Sequence, residues 1–418
     1  MLKNKKTLLL FAIIVSYTSG YAQNLSLNQI LDSIKNSHPI VKMYENEIRS
    51  MDEAAKGARS WMPPQIGVGQ FMTPYNTKLW QREGDAPGMG NVMISGEQMF
   101  PNKKKLDADE KYMKAMSGVE KEKKNASLNE LINDAKQYYF EWIILKKKLL
   151  ILKENQNILD FMIKSAELRY KNGLDKISAY YKAKAAIGEV KNMQLMFENE
   201  IKDRKIRLNA LMGRNANINF EIDTTYSLSD FSNLVFDSTF LNSQRSDLKS
   251  IDREISLTHL KQETEKAALR PQLGIRYDNM FGFAGQPFQY TIMGMIKIPM
   301  ARWSAKMSRA NIESLEWKAK SYQSQKEMMV NEYSGMAYGM RNEFDLKKKQ
   351  LKLYADEIIP ALRNNYKTMQ LGYEQNTEEL FMLYDAWETL NMKQLEYTEL
   401  LNEALKIQVT LERIIEKK

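Results

Sequence analysis

Cysteine is absent from all 418 residues, and histidine occurs only twice, as His38 and His259. No disulfide, thiolate metal site or lipid-anchor cysteine behind a leader can therefore form. Two histidines distant in sequence do not make a zinc-type cluster. His38 sits at a helix bend in Ser37-His38-Pro39 and His259 on a charged helix, and both read as structural. The patterns G-x-S-x-G and H-E-x-x-H and the phosphate-binding loop are also missing. The chain thus reads as a non-enzyme, with no cofactor and no resident metal. Past the first residues no apolar run reaches about 18, which excludes an ordinary transmembrane helix. Glycine and proline are sparse, at 19 and 10 residues, whereas 27% of residues are charged. Tracts dominated by Lys, Glu, Leu, Met and Ala are the signature of long helices and coiled coils. The net charge of +9 comes from lysines interleaved with glutamates. That pattern describes solvated helix faces and not a nucleic-acid surface.

What is present begins with a leader. Lys3, Lys5 and Lys6 precede an apolar run from Leu8 to Val15, and Gly20-Tyr21-Ala22 is a small-x-small cleavage site. Residues 1–22 are expected to be a secretory signal peptide, too short to span a bilayer. The mature chain, 23–418, is expected to be exported.

The mature chain is written twice. Pro64-Gln65-Ile66-Gly67-Val68 returns as Pro271-Gln272-Leu273-Gly274-Ile275, and Phe100-Pro101-Asn102-Lys103 corresponds to Ile298-Pro299-Met300-Ala301. Arg169-Tyr170-Lys171-Asn172-Gly173 then matches Gly372-Tyr373-Glu374-Gln375-Asn376, with offsets of 207, 198 and 203 along the series. The order predicts two structural repeats, about 23–213 and 239–418, joined by an equatorial segment of about 214–238. The last change of offset predicts five extra residues in the second copy's long helix. Between landmarks, Leu131, Ala135, Tyr138, Trp142, Leu145, Leu149 and Leu152 step by fours and threes, continuing through Leu159 to Tyr170. A second seam runs from Leu383 and Trp387 to Leu411 and Ile415, with polar steps only at Gln394 and Gln408. Sustained three-four alternation is a coiled-coil stripe that needs a neighbouring helix along its length. A helix from Asn102 to about Arg169 would reach roughly 100 Å. Gly173 and Asn376 supply the left-handed residue that reverses each helical hairpin.

Four segments read as strands: Gln65 to Met72, Asn91 to Phe100, Gln272 to Phe281 and Tyr290 to Ile298. Each is close to the length that crosses an outer membrane at a tilt. Tyr290, Ile292, Ile296 and Ile298 alternate with Thr291, Met293, Met295 and Lys297, and Leu273, Ile275 and Tyr277 with Gln272, Arg276 and Asp278. An apolar face opposite a polar one suits lipid outside and water inside. Met293, Met295, Lys297 and Arg276 are accordingly expected on a barrel lumen. Half-buried hairpins of a soluble sheet show the same alternation. In lipid, open sheet edges are not tolerated, and four strands cannot close a barrel with a lumen. Several copies must then pool their strands; three would supply twelve strands and twelve long helices.

The doubled order of parts resembles the TolC outer-membrane efflux family over essentially the whole mature chain. Pro64 and Pro271 open the two hairpins and Pro101 and Pro299 close them. The stretch from Tyr373-Glu374-Gln375-Asn376 to Leu383-Tyr384-Asp385-Ala386 resembles the family's second tip, and Ser246-Asp247-Leu248 its Pro-Asp-Leu stretch. The resemblance implies an α+β membrane protein. Its duplicated long α-helical hairpins would form a periplasmic α-barrel, and its four transmembrane β-strands per protomer a 12-stranded β-barrel in a homotrimer. It implies a passive exit channel in the outer membrane, extending into the periplasm, with a periplasmic adaptor and an inner-membrane pump as partners. Adaptor contact would fall on the tips, at Asn172, Gly173, Leu174, Gln375, Asn376 and Thr377. Asp385 matches a position where the family places aspartate rings at the periplasmic aperture, and Met382 stands three residues earlier. Tyr373 matches a tyrosine of the closing network, but the expected partner aspartate falls near Ala179. The family's CusC type serves copper and silver pumps, and thioethers suit those ions, although the 26 methionines are also ordinary core fillers. Metal ions, drugs and polypeptides all remain open as cargo. A soluble periplasmic coiled-coil scaffold or adaptor is the rival reading; adaptors carry one helical hairpin where this chain has two.

Overall fold

In the computed structural model, which describes residues 23–173 and 176–417, the four predicted strands form one antiparallel sheet. The predicted signal peptide and Leu174 lie outside the described residues. The elements are β1 (Gln23–Leu25), α1 (Leu27–Ser37), α2 (Pro39–Lys56), β2 (Gln65–Phe71), β3 (Asn91–Phe100), α3 (Lys103–Lys171) and α4 (Ile177–Leu211). Then come β4 (Phe220–Ile222), α5 (Ser238–Gln244), α6 (Ser246–Ala268), β5 (Gln272–Gly282), β6 (Gln289–Lys297) and α7 (Lys306–Leu353). A π-helical turn (Tyr354–Ile358) leads into α8 (Ile359–Glu374), and α9 (Leu380–Ile414) closes the order. No helix among the described residues is long and apolar enough to cross a membrane.

The chain divides into two compact units, and neither is one sequence repeat. The unit formed by Met43–Asn125 and Ser246–Val330 holds the sheet, in order β2-β3-β5-β6. Its central pairing, β3 with β5, joins the hairpins of the two repeats, with Glu97 opposite Arg276 and Ser95 opposite Asp278. β2 and β6 each pair on one side only among the described residues. In the same unit Arg59 reaches Asp107 at 2.8 Å and Glu110 at 2.7 Å. Hydrogen bonds from Lys114 and Arg59 hold the Glu110 carboxyl down from 4.5 to about 2. A depressed carboxylate lends stability above its unfolded value and loses it as pH falls toward its folded one. The extra exchange protection that Arg59 gives the start of α3, relative to Arg59→Ala, is therefore expected to shrink as pH drops from 4.5 toward about 2. Amide hydrogen exchange checks this; a difference that persists unchanged at pH 2 would mean the ion pair is not its source.

The other described unit draws on residues up to Lys42, Ala126–Arg245 and Asn331–Lys418. Here the seams are packed as the spacing predicts up to the last step of the first: Ala135, Trp142, Leu152, Leu159 and Ala166 are buried on α3, and Leu383, Trp387, Leu401 and Leu411 on α9, whereas Tyr170 is exposed where α3 ends. The indole of Trp387 donates to Asn155 Oδ1 at 2.7 Å, so a buried polar pair pins the two helices. The segment after α4 adds β4, parallel to β1, and Phe220, Phe231 and Phe236 join the core. Phe220 meets Trp142 edge-on at 5.2 Å between ring centroids. Gln408, a polar step of the second seam, accepts from the Ser229 amide at 3.0 Å, so it anchors this segment. Beside it, Lys136 and Glu412 make a 2.6 Å ion pair with only 12% and 9% of their side chains exposed.

Both long helical runs contain 69 residues, α3 by itself and α7 to α8 through the π-turn. The five extra residues of the second copy are thus not in its helix. They occupy the turn between Pro299 and Lys306, where the first copy passes directly from Pro101 to Lys103. The offset counted residues between landmarks and could not say which side of the helix start held them. The π-turn has a local cause: Pro360 has no N–H for the helical ladder, and the Ile359 amide bonds back to Tyr354 O, five residues away.

Candidate functional site

Two places gather the expected functional residues, and each lies within one unit. On the sheet, Ile66, Val68, Leu273, Ile275, Tyr277 and Ile292 are exposed on one face. Asp278 and Met280 are buried on the other. Arg276, Met293, Met295 and Lys297 all belong to that second face by register. Arg276 Nε donates to Asp278 Oδ1 at 2.9 Å and stands opposite Glu97 and Met293 in neighbouring strands. The positive group predicted here is therefore enclosed by two carboxylates. Alternation alone puts Glu97 and Asp278 on this face, but only strand register brings them to Arg276. Lys297 pairs with Gln272 at the strand end. Met295 pairs with Gly274, and a Cβ on that glycine would meet Met99 Sδ at 2.3 Å and Met295 Cε at 3.3 Å. Aromatic rings add to the exposed face, with Tyr290 in β6 stacked on Tyr277 and Trp61 edge-on to Phe100 at the end of β3. Bands of amphipathic rings of this kind mark where a barrel meets the two water interfaces.

The second place is the pair of hairpin tips. Gly173 and Asn376 both have positive φ, 73° and 61°, as the reversal of each hairpin requires. Asn172 caps the end of α3 by donating from its side chain to Leu168 O at 3.0 Å. Gln375 caps α8, and Thr377 closes the second turn with bonds from its amide and hydroxyl to Gly372 O at 2.8 and 3.0 Å. The tips are tied together by Arg169 of α3. It donates to Tyr373 O at 3.2 Å and to Asn376 Oδ1, and its guanidinium lies 4.5 Å from the Tyr373 ring centre. Tyr373 is only 2% exposed, so its ring is part of this packing and is not presented at a surface of the protomer. Where the resemblance implies an aspartate on the first tip the chain has Ala179, and Arg169 makes the contact with Tyr373. Lys182 of α4 adds a second tie, with its ammonium 4.3 Å from the Phe381 ring and 4.1 Å from that of Tyr384. Burial, together with the nearby Glu388 and Glu189 charges, pushes the Tyr384 hydroxyl up to about 12. An open cleft of about 800 Å³ between the tips is lined by Arg169, Lys176, Lys182, Glu378 and Glu379. Arg169 and Lys182 were not among the sequence candidates, because a lysine or arginine on a helix carries no mark of the ring it will cover. Asp385 and Met382 are exposed together on α9, off the stripe that Leu383, Ala386 and Trp387 bury.

Residues 30–214 match the outer membrane efflux protein family. The fold extends the likeness through nearly the whole chain. The outer-membrane channel OprN superposes with a TM-score of 0.75 at 12% identity, over 94% of this chain and 90% of that one. CusC, whose structures concern folding and transmembrane channel formation, gives 0.74 at 12% identity, over 94% and 93%. VceC from Vibrio cholerae gives 0.73 at 14%, over 93% and 95%. The chain has the fold of these outer-membrane channels, and residues 30–214 carry the sequence pattern of the efflux family. No curated protein matches it by sequence. The solved proteins that share this fold are outer-membrane proteins, which does not favour the reading as a soluble scaffold or adaptor.

Proposed function

We propose that this protein is an outer-membrane efflux channel that works as a homotrimer, a passive exit that receives cargo from an inner-membrane pump through a periplasmic adaptor. The observation that carries the reading is the sheet: four strands, an exposed apolar face, and one unpaired edge on each of β2 and β6. An open edge in hydrocarbon leaves backbone groups without partners at several kcal/mol each, and β2 of one copy against β6 of the next removes both edges at once. Three copies make a closed barrel of about twelve strands, within the range of bacterial outer-membrane barrels and wide enough for a lumen. The face bearing Arg276, Met293, Met295 and Lys297 then lines the passage, joined by Glu97 and Asp278. Asn172, Gly173, Gln375, Asn376 and Thr377 form the adaptor-facing tips, and Asp385 with Met382 lies at the periplasmic aperture. The test is the native mass and single-channel conductance of the purified protein in detergent and planar bilayers. A trimer that conducts is expected; a monodisperse monomer without conductance overturns the proposal.

Asp385 gives a sharper check. A ring of carboxylates at a narrow mouth favours cations. Asp385→Lys is expected to shift the reversal potential in a salt gradient toward anion preference, with the trimer intact. An unmoved reversal potential would place the residue away from the aperture.

A further inference from the structure

Just past the ends of β3 and β5, an open groove of about 480 Å³ between α3 and α6 gathers positive charge. Lys104, Lys111, Lys266 and Arg270 line it, against Asp107 and Glu263. Both carboxylates are already engaged: Asp107 accepts from Arg59 at 2.8 Å, and Glu263 pairs with Lys266 at 2.9 Å. Counting Arg59, five cations face two carboxylates. Lys104, Lys111 and Arg270 are exposed and make no ion pair among the described residues. Ala108, Leu260 and Ala267 complete the lining, so apolar surface lies among the charges. Helix chemistry does not ask for this arrangement. A first turn favours acids, yet α3 opens on Lys103, Lys104 and Lys105 with no acid. The far ends of the strands show no such excess. There the connection 72–90 sets Lys78 and Arg82 against Glu83 and Asp85, and the connection 283–288 is uncharged.

The groove opens away from the polar face of the sheet. A smaller cavity, about 130 Å³, is lined by Met99 and Gln272 of that face together with Lys105, Leu106 and Asp109 of α3. At 100° per residue, the stripe of Lys104, Asp107, Ala108 and Lys111 lies roughly 150° round the helix from those three. It is therefore on the side of the exposed apolar face. Phe100 and Leu273, paired at the adjoining ends of β3 and β5, are both exposed, and Ile275 follows on the same face.

We infer that this groove binds the headgroup of an anionic phospholipid in the leaflet that meets the helical end of the sheet. Lys104, Lys111 and Arg270 would hold the phosphate, and the acyl chains would lie along Phe100, Leu273 and Ile275. The inference rests on the proposal that the sheet spans the outer membrane. Basic pockets beside membrane-spanning segments suit such headgroups, because each cation near the surface adds to the attraction. A bare phosphate would use the cations alone, whereas the apolar lining and the adjoining strands suit the rest of a lipid.

The test is native mass spectrometry of the full-length protein released from nanodiscs of phosphatidylcholine mixed with phosphatidylglycerol. Phosphatidylglycerol is expected to stay bound in preference to phosphatidylcholine. The triple variant Lys104→Gln, Lys111→Gln, Arg270→Gln should weaken that retention by about tenfold or more and keep its bilayer conductance. A control, Lys103→Gln with Lys306→Gln, removes exposed charge from the same end outside the groove and should leave retention unchanged. Equal retention of both lipids, an unaffected triple variant or an equal loss in the control would overturn the site. Displacement of the lipid by millimolar inorganic phosphate would reduce the groove to a phosphate site and overturn it as well. An unaltered protein without conductance would instead defeat the channel reading, so the two failures are distinguishable.

Discussion

Arginine in place of Ile275 is expected to cost about 2–4 kcal/mol of folding stability in a bilayer, whereas arginine in place of Ser95 is expected to cost little. The two residues lie in adjacent central strands but on opposite faces. Ile275 belongs to the exposed apolar face with Leu273 and Tyr277. Ser95 lies on the polar face, opposite Asp278 and a side-chain-free Gly67, where a new guanidinium meets a carboxylate. A charge held at the middle of the hydrocarbon has neither water nor a counter-ion, and the cost fades toward the interfaces. Reversible unfolding from lipid vesicles in guanidinium measures both variants. Equal penalties would mean that neither face meets lipid, and the whole assignment of faces would fall with them.

Removing the carboxylate of Glu412 is expected to destabilise the protein by about 3–5 kcal/mol, because the Lys136 ammonium is then left in the core without its counter-charge. Ser229 and Gln408 also direct hydrogen bonds to the same carboxylate, at 3.4 and 3.3 Å, so Glu412→Ala also loosens the segment that follows β4. Replacing both members, as Lys136→Met with Glu412→Leu, should recover most of the loss. Filling the site with apolar volume avoids burying a lone charge. Chemical denaturation of the singles and the double closes the cycle. If Glu412→Ala cost less than about 1 kcal/mol, in the range of surface pairs, the site would be wet in solution.

The sequence shows what depends on neighbours along the chain and hides what depends on partners far from it. Strand limits came within a residue or two, since alternation between Tyr290 and Lys297 is a local rule of pleating. The turn residues Gly173 and Asn376 were equally readable, because a left-handed backbone narrows the choice of side chain. The pairing of β1 with β4 was not, as three residues carry too little period to signal a strand. Nor was the bond from Arg169 to Tyr373, which spans 204 residues. The carboxylates around Arg276 fall between these cases. Their face could be read from parity, but their adjacency needed a register that only the folded sheet supplies.

The turn between Pro299 and Lys306 also says where this duplicated chain can change length. An insertion inside either 69-residue run would rotate every later residue of its coiled stripe by about 100° per residue. An insertion in the first half of α3 would take with it both the bond between Trp387 and Asn155 and the tie from Arg169. The second copy has put its five surplus residues at a point where they turn no stripe. A peptide tag placed between Met300 and Ala305 is thus the addition least apt to disturb either hairpin. Gene duplication has in effect already performed that graft.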